Sequence, residues 1–191
     1  WKSRGLGDVY KRQVHELGGW TDEDMLDEDG ASRAAINTLA RTRRSLSSEG
    51  HIGAFFSDKR IAGTNLQNQV ISFDMSSRLS ETTSLGAHYG GSLTEVSSGE
   101  RTSGTSGGFG LSHENREWEF NIGAGASGAD FRAENGYVTQ GDSFGIGGEL
   151  ERMFYPETDV IRSMRMSLGA GSEWKLNGDL RDFEINPSLG L

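Results

Sequence analysis

The sequence predicts an all-β protein, an antiparallel up-and-down meander of about ten long strands forming an outer-membrane β-barrel or a fragment of one. Three observations carry that expectation. Stretches of alternating apolar and polar residues recur from Val14 to Leu191, and successive side chains of a strand face opposite sides. The connectors alternate between tight polar turns and longer polar loops, the pattern of a barrel with periplasmic turns on one rim and outer loops on the other. The chain also holds 28 glycines but only 2 prolines. Pro removes a ladder donor, whereas Gly permits tight turns, bulges and close approach within strands.

In chain order, strands are expected near 14–23, 34–44, 50–59, 69–78, 84–94, 105–113, 117–127, 142–154, 162–174 and 181–191. Short connectors are Ser45–Glu49, Leu79–Thr83, Glu114–Arg116 and Tyr155–Ile161. The longer ones are Asp24–Arg33, Arg60–Asn68, Glu95–Gly104 and Gly128–Gly141. Lys175–Leu180 falls on the long side yet is short, and its Asn177-Gly178 pair is a strong hairpin signal. Each connector is too short for a crossover helix, so every strand should pair with its chain neighbours.

Alternation assigns the faces. Leu85, Tyr89, Leu93, Trp118, Phe120, Ile122, Met164, Met166, Leu168 and Trp174 form the expected lipid-facing set. Arg41, Arg43, Asp74, Arg78, His88, Glu117, Glu119, Asn121, Glu149 and Glu151 form the expected lumen wall, where opposite charges on adjoining strands can pair. Trp20, Tyr89, Trp118, Phe154, Tyr155 and Trp174 are placed towards strand ends, where barrels carry aromatic girdles.

Composition excludes several classes. A mean hydropathy of −0.56 and the lack of any apolar run near ~20 residues exclude a helical membrane protein, but not a barrel, because only alternate strand residues touch lipid. A net charge of −9 with 19 dispersed basic residues argues against nucleic acid as a partner, since phosphate binding draws on clustered Lys and Arg. With no cysteine, disulfide frameworks, thiolate catalysis and Cys-ligated zinc fall away.

Residues 1–13 (WKSRGLGDVYKRQ) lack both an initiating Met and an h-region. Their GDVYKRQ string resembles translated sequencing adapter. They are therefore expected to lie outside the fold, leaving 14–191 as a barrel segment truncated at both ends, since alternation continues through Phe183, Ile185, Leu189 and Leu191.

Four segments, EGHIGAFFSDKR (Glu49–Arg60), VISFDMSSRLSETTSLGAHY (Val70–Tyr89), ADFRAENGYV (Ala129–Val138) and DLRDFEINPSLGL (Asp179–Leu191), resemble the barrel part of the domain-of-unknown-function 5916 family. Its members typically join an amino-terminal carbohydrate-binding family 9-like module to an outer-membrane barrel. The resemblance implies a barrel piece without its sugar-binding module and transfers no active site.

Signs of other chemistry have plainer readings. Gly123, Gly125 and Gly128 fit G-x-G-x-x-G, but that fingerprint needs a following helix whose amino terminus meets phosphate. The acidic run Asp22–Asp29 before Gly30 resembles half a calcium loop, with Met25 and Ile36 at positions an EF-hand would fill with ligands; a solvated outer loop is the expected account. Glu149 and Glu151 share one strand face, as do Glu117 and Glu119, and side-by-side carboxylates do not flank a glycosidic bond. His15, His51, His88 and His113 lie on four separate strands with no metal-site spacing.

The expectation is thus a non-enzymatic, cofactor-free outer-membrane barrel segment acting as a channel or as the anchor of a carbohydrate-binding module. Its expected partners are outer-membrane lipid, the barrel-assembly machinery and, through that module, glycans. The alternatives are a soluble all-β binding or adhesin-like domain, with turn signals every 8–12 residues, and a barrel enzyme, which would need a Ser/His or Asp/His site.

Overall fold

The computed structural model describes residues 13–26, 32–47, 49–135, 141–156 and 162–190, with 13–26, 32, 33 and 47 described by backbone only. It is all-β. The strands are β1 (Gln13–Leu26), β2 (Ser32–Ser47), β3 (Gly50–Ile61), β4 (Gln67–Ser80), β5 (Thr83–Glu95), β6 (Arg101–Glu114), β7 (Trp118–Ser127), β8 (Ser143–Phe154), β9 (Met164–Trp174) and β10 (Leu180–Gly190). They form one sheet in chain order, and every pairing is antiparallel. Among the described residues there is no helix.

The strands run further than alternation predicts, chiefly at the loop rim: β6 begins at Arg101 and β4 at Gln67. The expected contrast between short and long connectors is correspondingly weaker. The stretches 62–66 and 96–100 are shorter than 155–163 on the opposite rim. The 96–100 and 175–179 connectors share one turn. The amide of Val96 donates to the carbonyl of Glu100 (3.0 Å) and that of Lys175 to Asp179 (2.8 Å), while Gly99 and Gly178 take φ of 82° and 98°. Left-handed backbone favours glycine there. Asn177 is absent from the residues with positive φ, so the Asn-Gly pair does not form the two-residue turn it signals, which needs positive φ at both positions.

Register divides the sheet into two faces. One row runs Arg43, Gly53, Asp74, His88, Gly108, Gly125, Gly145, Glu173. The next runs Ser45, His51, Ser76, Gly86, Gly110, Gly123, Gly147, Gly171. This polar face is almost bare backbone between β5 and β9. The alternate positions, such as Ile71, Gly91 and Thr105, or Met75, Ala87, Phe109, Ala124, Ile146 and Ser172, make an apolar face.

No second layer covers the apolar face among the described residues. Among the described residues the buried hydrophobic side chains are Ala35, Ile61 and Val70, while twenty-three large hydrophobics are exposed, including Phe73 at 55%, Phe109 at 57% and Phe183 at 61%. Sheets ordinarily pack an apolar face against another element; here that face is open among the described residues.

Candidate functional site

All ten residues of the expected lipid-facing set lie on the apolar face, as the pairs Phe73↔Tyr89, Leu85↔Leu111, Leu111↔Ile122, Phe120↔Leu150 and Leu150↔Leu168 show. Ile71, Phe109, Ile146 and Ile185 belong to the same surface and lie outside that set, although alternation marks them too.

Aromatic side chains collect at both ends of this face, joined at the turn rim by arginines. At the turn rim the Arg152 guanidinium lies 4.4 Å over the Trp118 ring and 5.0 Å over Phe154, and Arg116 lies 5.0 Å over Tyr155. Tyr155 Oη donates to the Arg116 carbonyl at 3.0 Å. At the loop rim Phe144 and Trp174 stack at 5.8 Å. A ring with one polar edge suits a boundary between apolar and wet surroundings. Tyr89 departs from its expected place at a strand end. It sits in the middle of β5 opposite Phe73, and its ring covers Gly107, where an added Cβ would come within 2.9 Å of Tyr89 Cδ2. The ring supplies the side-chain surface this glycine lacks. The first half of the acidic run, Asp22–Asp24, is not loop but part of β1, which continues to Leu26; the side chains of Trp20 and Asp22–Asp24, and residues 27–29, lie outside the described residues.

On the polar face, charged residues of β2, β3 and β4 form a network. Arg41 Nη2 donates to Asp74 Oδ1 at 3.1 Å, reaching across the intervening β3 rather than to an adjoining strand. Gly53 makes this possible, since an added Cβ there would stand 2.7 Å from Asp74 Oδ1. Arg43 Nη2 lies 2.7 Å from His51 Nδ1, and His51 Nε2 lies 3.0 Å from Asp74 Oδ2. Arginine has only donors, so Nδ1 accepts and Nε2 carries the proton given to Asp74. Arg78 pairs with Glu49 at the turn rim. His88 stands opposite both Asp74 and Gly108.

The acidic residues lie across the sheet. Glu119 is opposite Glu114 and Glu151, and Asn121 is opposite Glu149. Glu151 pairs with Arg165 at 3.0 Å. Glu117 does not join this wall; it lies in the turn before β7, and its carboxylate comes within 3.9 Å of Arg152 on the other face. Glu149 and Glu151 stand side by side along β8, and among the described residues no three His, Asp or Glu side chains converge on a metal position. Gly123 and Gly125 sit inside β7, with irregular backbone after Ser127 in place of a helix.

The least expected feature follows β7. Residues 128–135 fold back across the polar face as a strap over β6, β5, β4 and β3. The backbone at Asp130 and Phe131 lies directly on Gly104. The Arg132 amide donates to Ser92 Oγ (3.0 Å) and the Glu134 amide to Asn68 Oδ1 (3.1 Å). Asn68 Nδ2 donates to the Arg132 carbonyl (3.0 Å) and to Thr94 Oγ1 (2.9 Å). Asn135 Nδ2 donates to Ser57 Oγ at 2.9 Å, and Lys59 Nζ stands 3.5 Å from Glu134. Ser57, Asn68, Ser92 and Thr94 are all at most 5% exposed, so a cluster of buried polar side chains lies under the strap. Buried polar groups persist when their hydrogen bonds are made, and here they are made to a loop.

No family model, curated protein or solved structure matches the chain.

Proposed function

We propose that the chain is a stretch of outer-membrane β-barrel wall, its apolar face against lipid and its polar face lining an aqueous lumen, serving as a channel or as the membrane anchor of a carbohydrate-binding module. The observation that carries this reading is the apolar face, left uncovered among the described residues and bounded at both ends by aromatic rings. Its extent fits: from Leu85 to Leu93 is eight steps of about 3.4 Å, or roughly 27 Å along the strand. At a barrel tilt of about 35° that is roughly 22 Å of height, against an apolar band of about 25 Å. No helix among the described residues is long and apolar enough to cross a membrane; crossing by strands is a separate matter. Outer-membrane lipid and the barrel-assembly machinery are the implied partners. The glycan partner rests on the family resemblance alone, and the segment itself is taken as non-catalytic.

A soluble sandwich would need a second sheet over the apolar face, and the ten strands form a single sheet. The test is to refold the chain into phosphatidylcholine vesicles and follow flotation and gel mobility with and without heating. Co-flotation with a heat-modifiable band is expected. A monodisperse chain in detergent-free buffer that ignores vesicles would sink the reading.

A further inference from the structure

We infer that the 128–135 strap is a fixed constriction of the lumen and that Asn68 is the pin that holds it there. This rests on the barrel reading, in which the polar face is the lumen wall. A loop serving only to join β7 to β8 could stay at the rim, because it need not touch any strand except those two. This one instead crosses four strands that precede it in the chain, and each meets it differently: bare backbone at Gly104, a hydroxyl at Ser92, an amide at Asn68, and a hydroxyl with an ammonium at Ser57 and Lys59.

Asn68 stands out because its carboxamide gives one donor and its acceptor to the strap backbone, at Arg132 and Glu134, while Nδ2 also reaches Thr94. It is 1% exposed. Asp could accept from Glu134 but could not donate to Arg132, and Ser could not span both partners. Gly104 is the second requirement, since any Cβ there would occupy the place of the Asp130 and Phe131 backbone. Among the described residues the strap covers the β3–β6 sector and leaves the glycine rows of β7–β9 bare, so water and polar solutes pass along that smooth sector and their size limit is set by the strap.

The full chain is reconstituted into planar phosphatidylcholine bilayers, and single-channel conductance is read together with the largest neutral polyethylene glycol that enters the pore. Asn68→Ala and Gly104→Val attack the strap from different strands, so one remains informative if the other does not insert. Ser72→Ala, on the polar face of β4 away from the strap, is the control. A several-fold rise in conductance and entry of larger polymers are expected for both strap variants, with the control unchanged. Conduction by both at the wild-type level and polymer limit would overturn the constriction while leaving the channel intact. Insertion without conduction in every form, wild type included, would overturn the channel and the constriction with it.

Discussion

Replacing Ile122 by Arg separates a lipid-facing surface from a water-facing one. Ile122 is halfway along β7, opposite Leu111 and Gly148 and 44% exposed. In water, Arg at so open a position would shift stability by no more than about 0.5 kcal/mol. At the midplane of a bilayer the same guanidinium costs about 2–4 kcal/mol, because hydrocarbon cannot solvate it. Asn121→Arg is the internal comparison. Its side chain lies on the polar face opposite Glu149, so a new arginine gains a carboxylate neighbour, and pairing at exposed sites changes stability by only about 0–1 kcal/mol. Urea unfolding of vesicle-folded protein, followed by tryptophan emission, should show a loss of about 2–4 kcal/mol for Ile122→Arg and little for Asn121→Arg. Similar losses from the two substitutions would refute the assignment of faces.

Three further outcomes follow from neighbouring residues. Phe73→Asp should block insertion into vesicles, whereas Asp74→Asn, one residue on and facing the other way, should insert normally; vesicle flotation distinguishes them. Gly53→Ala should push the Asp74 carboxylate out of its contact with Arg41 and cost about 1 kcal/mol, the scale of a partly exposed ion pair. A loss far above that in the same urea titration would place backbone strain at Gly53 instead. Single-tryptophan forms retaining Trp118 or Trp174 should be quenched most strongly by lipids brominated near the headgroup, since these residues belong to opposite rims. Strongest quenching by bromines at the chain ends would remove the girdle.

The fold was legible wherever the two faces differ in polarity. Alternation places Thr83–Glu95 to within one residue at each end because Leu85, Ala87, Tyr89 and Leu93 alternate with Gly, His and Ser. The same rule misses strand ends such as Arg101–Gly104, where both faces are polar and alternation carries no signal. Tyr89 was misplaced because alternation reports which face a residue takes, not its height along the strand. The Arg41–Asp74 pair was half readable: both residues were assigned to one wall, but contact across an intervening strand depends on the missing side chain at Gly53. The strap was not readable. Asn68 and Glu134 are separated by 66 residues, and its contacts use loop backbone groups, which every residue carries. Only the glycine at 104 hinted that something must lie close.

The most direct test is a nitroxide scan of β7. The chain has no cysteine, so labels placed singly at each position from Trp118 to Ser127 report one site at a time in vesicles. Accessibility to dissolved oxygen should peak at 120, 122, 124 and 126, and accessibility to a water-soluble nickel chelate at 119, 121, 123 and 125, with period two. Equal access of the chelate to both series would contradict a wall with lipid on one side and water on the other.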